Sequence, residues 1–342
     1  MITSWFTLLD NMIAPESGNL CEVATGIYWL RMPLPFELDH INLYLIQDGN
    51  DYVLIDTGIH TKATKDIWLE LLEHYGIRIS RVIVTHMHPD HIGNAGWLTE
   101  KFHIPLMMSG AEYFSARSIR AGSQGASEWV EHQFLHRCGL SEEYIVRAIS
   151  NRSGFASAVS PIPTSFHRLE HGQCIQIGEF DWHVMVGRGH SPEHVCLFNE
   201  AQNILVSGDH ILPQISPNIG VYSTEPDANP LHLYLTTLQT FKALPKDTFV
   251  LPSHRMPFVG LHERIDELTS HHLSHIENLL THCETPRTVV ECLPILFSRE
   301  LTNQAMFFAV AEGIAHLNYL VFDGRIHRYL DDDGVYQYVR KT

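Results

Sequence analysis

Three imidazoles and a carboxylate fall within six residues at His86-Met87-His88-Pro89-Asp90-His91. Imidazole nitrogen and carboxylate oxygen are ligands that Zn²⁺ takes and that Fe²⁺ and Mn²⁺ accept, so this spacing reads as a metal-binding turn. The chain carries 24 histidines, so stray pairs are ordinary. A full His-x-His-x-Asp-His at one point is not, with a chance occurrence on the order of one per cent by composition. The cluster follows the apolar run Val82-Ile83-Val84, which reads as a strand. Further His and Asp residues follow other β-like runs, a place where sheets often carry their chemistry. Tyr52 to Ile55 runs into Asp56, Trp182 to Val186 leads through Gly187-Arg188-Gly189 to His190, Ile204 to Gly208 delivers Asp209, and Thr248 to Ser253 delivers His254.

Taken in order, Asp56-Thr57-Gly58, His86-x-His88-x-Asp90-His91, Gly189-His190-Ser191, Gly208-Asp209 and Ser253-His254 resemble the five motifs of the metallo-β-lactamase superfamily, over roughly residues 20 to 262. The resemblance implies an α+β fold, an αββα sandwich with two metal ions at one edge. Carried over by position, it implies that His86, His88 and His190 hold the first ion, that Asp90, His91 and His254 hold the second, and that Asp209 bridges them. Asp56 resembles the carboxylate that orients a ligand imidazole. Two divalent ions, Zn²⁺ first and Fe²⁺ or Mn²⁺ next, would polarise a carbonyl or phosphoryl oxygen. They would also bring a bridging water toward ionisation near neutral pH, giving a hydrolase with no covalent nucleophile. Asp90 then has two roles open to it, binding the second ion and accepting a hydrogen bond from the attacking water.

The elements around these motifs divide the 342 residues into three parts. The first half-sandwich ends near Ile104 to Met108, after a helix that begins around Gly93. Residues 110 to 165 show helical spacing and then a Ser/Pro-rich run, which in this superfamily resembles a helical cap over the metals. Strands return at Cys174 to Ile177 and at Phe180 to Val186. After Asp209 a long loop rich in Pro and Gly carries Asn218 and Tyr222, two candidate donors to a developing oxyanion, Tyr222 being taken as catalytic. His194 and His210 are candidates for support of the site, and Arg188 for contact with an anionic substrate. His271, His272 and His275 read as solvated surface on a polar helix.

The expected catalytic domain is residues 1–262, and residues 263–342 form a C-terminal module. An amphipathic helix from Arg264 to Leu280, a second starting at Thr285-Pro286, an apolar third from Ala305 to Leu320 and a hairpin from Gly324 to Val339 read as winged-helix-like. This arrangement resembles the lactamase-beta-like protein 2 group, some of whose members cut single-stranded RNA. The formal charge of −16 argues against a chain that lives by holding phosphate backbones. Residues 263–342 carry seven Lys and Arg against twelve Asp and Glu, a balance of −5, so the module is expected to wall the pocket or to dimerise. The start of the chain has no basic leader, no later segment is expected to cross a membrane, and the six scattered cysteines read as reduced core thiols in a cytoplasmic protein.

Departures from the motifs of particular members narrow the chemistry. Lactonases that act on acyl-homoserine lactones carry a Tyr soon after the bridging Asp, where this chain has Ile211-Leu212. Glyoxalase II enzymes share the seven-ligand set, but their glutathione-binding segments have no counterpart here. True β-lactamases generally lack a bridging carboxylate such as Asp209, and the oxygen-binding diiron members replace His88 by a carboxylate. The expectation is a hydrolase of a thioester or small ester, with a small-molecule substrate. The alternatives are a metal-dependent phosphodiesterase or endoribonuclease, and a metal-stabilised scaffold or sensor without turnover.

Overall fold

In the computed structural model, which describes residues 7–8, 12–36, 38–122, 128–150, 154–298 and 300–341, two seven-stranded sheets face each other. Most of the start of the chain therefore lies outside the described residues, as do parts of the segment read as a cap. The first sheet is built in chain order from β2 (Cys21–Ala24), β3 (Ile27–Pro33), β4 (His40–Asp48), β5 (Asp51–Ile55), β6 (Ile79–Ile83), β7 (Leu106–Met108) and β8 (His167–Arg168). The second takes β1 (Thr7–Leu8), then β14 (Phe258–Val259), β13 (Phe249–Pro252), β12 (Ile204–Gly208), β11 (His194–Asn199), β10 (Phe180–Gly187) and β9 (Cys174–Ile177) in that lateral order. β5 to β8 pair in parallel, as do β12 and β13, so the strands that precede the site motifs release their chains toward one edge.

Period-two alternation explains why the sheets stack. Trp29, Tyr44, Ile46, Val53 and Ile55 of the first sheet meet Trp182, Val184, Val195, Leu197, Val206 and Leu251 of the second in one apolar layer. The residues between them face outward. Leu30, Met32, Leu43, Leu45 and Leu54 bury Trp68 and Leu71 of α1 (Lys62–Tyr75) and Leu98 of α3 (Ala95–Phe102). α1 starts on the Thr61 side chain, which accepts from the Thr64 N–H, and stops at Gly76 in the left-handed region. The short α2 (Pro89–Ile92) sits between α1 and α3 in the chain and carries Asp90 and His91. On the outer face of the second sheet α8 (Pro230–Thr240) packs against β10, and α9 (Leu261–His282), α10 (Val289–Leu296) and α11 (Asn303–Phe322) join it in one core cluster. The result is the αββα sandwich.

Between β7 and β8 come four helices, α4 (Gly110–Gly122), α5 (Glu128–Arg137), α6 (Glu142–Ser150) and α7 (Gly154–Ala158). Cys138, just after α5, packs into the C-terminal core, and His136 bonds the Asp333 carbonyl, so this segment reaches across to the far end of the chain. That end is three helices and a hairpin of β15 (Ile326–Leu330) and β16 (Tyr336–Arg340). α10 begins three residues later than its proline suggests, because Thr288 and Glu291 close a reciprocal capping box. Ala305–Phe322 of α11 is long and apolar enough to cross a membrane by length and composition, contrary to the reading of the sequence, and 61% of it is buried inside the protein. Two further expectations fail. His272 is fully buried rather than solvated, because α11 packs on that face of α9, and Cys174 is exposed at the sheet edge rather than in the core.

Truncating Trp182, whose indole is fully buried between the sheets, removes the largest side chain the second sheet gives the layer. Trp182→Ala is expected to lower the unfolding free energy by ~3–5 kcal/mol in urea titration; a change under ~1 kcal/mol would mean that the layer does not hold the sheets together.

Candidate metal centre

Each candidate ligand stands just past a strand, and backbone bonds fix the loop that carries it. Asp56 follows β5 with φ of 60°, held by its N–H on the Ile83 carbonyl. Thr57 donates through both N–H and hydroxyl to the His91 carbonyl, and the Asn94 amide spans the carbonyls of Thr57, Gly58 and Ile59. Gly189, at φ of 106°, lets the chain turn to His190 against α8, where a Cβ would lie 2.5 Å from the Pro230 carbonyl oxygen. Only glycine fits such a place.

The seven side chains converge in two groups. His86, His88, His190 and Asp209 present ligand atoms within 4.8 Å of one another, and so do Asp90, His91 and His254. In the first group His86 Nε2 lies 2.9 Å from His88 Nδ1 and 3.2 Å from His190 Nε2. In the second, Asp90 Oδ2 lies 3.3 Å from His254 Nε2 and 3.5 Å from His91 Nε2. Asp209 faces both, with Oδ2 at 3.6 Å from His190 Nε2 and 3.5 Å from His91 Nε2, and Oδ1 at 3.5 Å from His254 Nε2. The seven residues of the metal-binding reading are thus brought to one place, in the grouping the resemblance implies.

The outer nitrogens of these rings show which atoms face inward. His190 Nδ1 donates to the Asn218 carbonyl at 2.8 Å, His254 Nδ1 to the His40 carbonyl at 3.0 Å, and His91 Nδ1 to Asp56 Oδ2 at 2.8 Å. Asp56 is held in turn by the N–H and hydroxyl of Thr85. With Nδ1 donating outward, the Nε2 atoms of His190, His254 and His91 face the centre, where a cation would engage them. Asp209 Oδ1 and His91 Nε2 are buried and lack hydrogen-bond partners. The donor set fits two borderline divalent ions such as Zn²⁺.

Electrostatics separates the two halves. Burial presses His88 down to about 3, with the His190 ring adding to the effect, so this ring is neutral and ready to ligate. Burial also opposes charge on His254, but Asp209 and Asp90 outweigh it and raise the ring to about 10. His91 is raised likewise, burial being outweighed by Asp90, Asp56 and Asp209. Burial works against ionised Asp90 too, yet His91 and His254 bring it down to about 2. In metal-stripped protein these two rings therefore take protons where a cation would sit.

Several supporting residues carry no spacing signal. Glu112 of α4 is fully buried and accepts from the Met87 N–H at 2.9 Å and the Glu193 N–H at 2.7 Å, clamping the His86–His88 turn to the loop of His190. Burial raises its carboxyl to about 7. His194 accepts from the Asp209 N–H at 3.0 Å and stacks on His86. His210 instead packs its ring among His194, Tyr234 and Phe241. The Tyr222 hydroxyl donates to Asn218 Oδ1 and its ring stacks on Phe307, while the Asn218 amide donates to Glu312 and to the Phe308 carbonyl. Both candidate oxyanion donors are thus tied to α11. Arg188 lines a separate cavity of about 570 Å³ with Arg168, His171 and Thr237, and none of the seven candidate ligands lines that cavity.

Comparison with known proteins places this geometry. The profile described as "Metallo-beta-lactamase superfamily" matches residues 37–254, and "Metallo-beta-lactamase-like, C-terminal domain" matches residues 276–341. A beta-lactamase domain protein from Burkholderia ambifaria, solved by crystallography, superimposes with a TM-score of 0.90 at 38% identity, covering 98% of each chain. The probable metallo-hydrolase YqjP of Bacillus subtilis is 24% identical over 317 residues, 90% of this chain and 96% of its own. The acyl-coenzyme A thioesterase MBLAC2 of Gallus gallus is 25% identical over 263 residues, 74% of this chain and 85% of its own.

Two measurements test the centre. Asp56→Asn keeps the shape but removes the charge that orients His91, and metal affinity measured by chelator competition is expected to fall by ~10–100-fold; unchanged affinity would separate Asp56 from the site. His254, raised to about 10, keeps its proton at neutral pH in stripped protein, and the neighbouring carboxylates raise His91 in the same direction. Zn²⁺ binding at pH 7.5 is therefore expected to release about one proton or more, read from calorimetry in buffers of different ionisation enthalpy; binding without proton release would contradict this charge assignment.

Proposed function

The chain belongs to the metallo-β-lactamase superfamily and is a hydrolase of it, and from this premise we propose that it uses a binuclear centre of the glyoxalase II type to cleave a thioester or small ester. The observation that carries the proposal is Asp209, whose two oxygens face both ligand groups at 3.5 to 3.6 Å. Two divalent ions bound there would polarise the scissile carbonyl and bring a water toward ionisation near neutral pH. His86, His88 and His190 would hold one, Asp90, His91 and His254 the other, with Asp209 between.

The protein's own groups then do the following. Asp90, ionised because His91 and His254 outweigh its burial, accepts a hydrogen bond from the attacking water and keeps its lone pair aimed at the carbonyl carbon. Tyr222 keeps its proton at neutral pH, since burial pushes it up to about 12, and serves as a donor to the oxyanion when it exchanges Asn218 for substrate. As the carbon–oxygen bond forms and the carbon–sulfur bond breaks, the proton from water passes to the departing thiolate. A thiolate leaves readily, so no strong general acid is required near the sulfur. The thioesterase activity in the name of the Gallus gallus relative supports this bond class. The acidic balance of the chain, −16 overall, favours a small molecule over nucleic acid as substrate. The helices from 110 to 165 serve as the cap that limits its size, and the C-terminal helices and hairpin as a winged-helix-like wall.

Purified, metal-analysed protein is expected to hydrolyse acyl thioesters or aryl esters in a panel that includes lactones, a phosphodiester and single-stranded RNA. The activity should vanish in His88→Ala and return with added Zn²⁺ after chelation of the wild type. Tyr222→Phe should lower kcat by ~10²-fold if it donates to the oxyanion, with little change in KM. Turnover confined to RNA or the phosphodiester would overturn the ester assignment.

A further inference from the structure

A third group of ligand-type side chains lies away from the catalytic crevice, between α9 and α11. His272, Glu312 and His316 are all buried and present ligand atoms within 4.8 Å of one another. Glu312 and His316 are one turn apart on α11, so both project from one face toward His272 of α9. Their internal geometry repeats that of the first site. His316 Nδ1 donates to the Glu312 carbonyl at 2.9 Å, as His190 and His254 donate to backbone carbonyls, and this turns the His316 Nε2 lone pair inward. That nitrogen meets His272 Nδ1 at 3.2 Å, the separation between His86 Nε2 and His190 Nε2.

The surroundings match ligation better than a chance packing of polar groups. His275 joins the cluster with its ring 5.7 Å from that of His316, and His275 Nδ1 and His272 Nε2 are buried without hydrogen-bond partners. Four imidazoles, those of His271, His272, His275 and His316, thus pack beside one carboxylate. His272 and His316 are fully buried, with His275 partly buried and His271 at the exposed edge, and burying the first two beside Glu312 costs free energy unless something engages their lone pairs. Neutral imidazole and carboxylate are the forms a divalent ion requires.

We propose that His272, Glu312 and His316 form a third divalent-cation site, a structural one that ties α9 to α11, with His275 or a water in the fourth position that Zn²⁺ ordinarily takes. The site reaches the catalytic centre through one residue. Asn218 donates its side-chain amide to Glu312 Oε2 at 3.1 Å and its carbonyl accepts from His190 Nδ1 at 2.8 Å. An ion on Glu312 therefore fixes the residue that orients His190.

The test is crystallography of full-length protein equilibrated with excess ZnCl₂, with data above and below the zinc absorption edge, alongside zinc counting by mass spectrometry. An anomalous peak among His272, Glu312 and His316 is expected, together with a loss of about one zinc per chain in H272Q/H316Q relative to wild type. The peak depends on no variant folding, and the count is a difference that holds however many ions the catalytic crevice takes, so failure of the binuclear reading would not be mistaken for failure here. Absence of anomalous density at this cluster, whatever the occupancy at His86 and Asp209, overturns the proposal.

Discussion

Everything at the active edge depends on the confrontation between Asp209 and the imidazoles of His190, His91 and His254. The Nε2 atoms of three rings point at one carboxylate in a crevice that the protein keeps largely from water. Such an arrangement is costly in isolation, because buried charges and polar rings lose the hydration that stabilised them. Cations between the groups convert the cost into a binding force, so metal affinity and the local order of these loops are linked.

The sandwich exists to hold that confrontation rigid. The shared apolar layer around Trp29 and Trp182 fixes the distance between sheets, and the loops leaving β5, β6, β10, β12 and β13 then meet at one edge without further adjustment. Their support is dense in backbone contacts: carbonyls of His40 and Asn218 hold two rings, Asp56 holds a third, and Glu112 ties two loops through their N–H groups. The C-terminal helices belong to this support, since Asn218 and Tyr222 are anchored on α11. The C-terminal module, whose acidic balance points to a pocket wall or a dimer contact, contributes α11 to the support behind His190.

The motif residues were legible because ligation fixes residue type and strands fix position. Asp56, the His86–His91 turn, His190, Asp209 and His254 each combine a ligand-type side chain with an apolar run before it. Their support was not legible for the opposite reason. Glu112 lies in a helix whose other residues are ordinary, and any buried carboxylate opposite two N–H groups would serve. The burial of His272 is not visible in the sequence, because the polar residues around it on α9 suggest a solvated face, whereas burial there is decided by α11, 44 residues away in the chain at His316. The start of α10 shifted because a Thr288–Glu291 capping box outweighs a proline two residues earlier.

Two cations held close together across Asp209 would couple magnetically. Electron paramagnetic resonance of protein stripped by chelation and reloaded with Mn²⁺ reads this directly. The expected result is the exchange-coupled signal of a pair about 3.5–4 Å apart, lost in Asp209→Ala, with any further ion adding an isolated component beside it. Signals of isolated Mn²⁺ alone at full loading would contradict it.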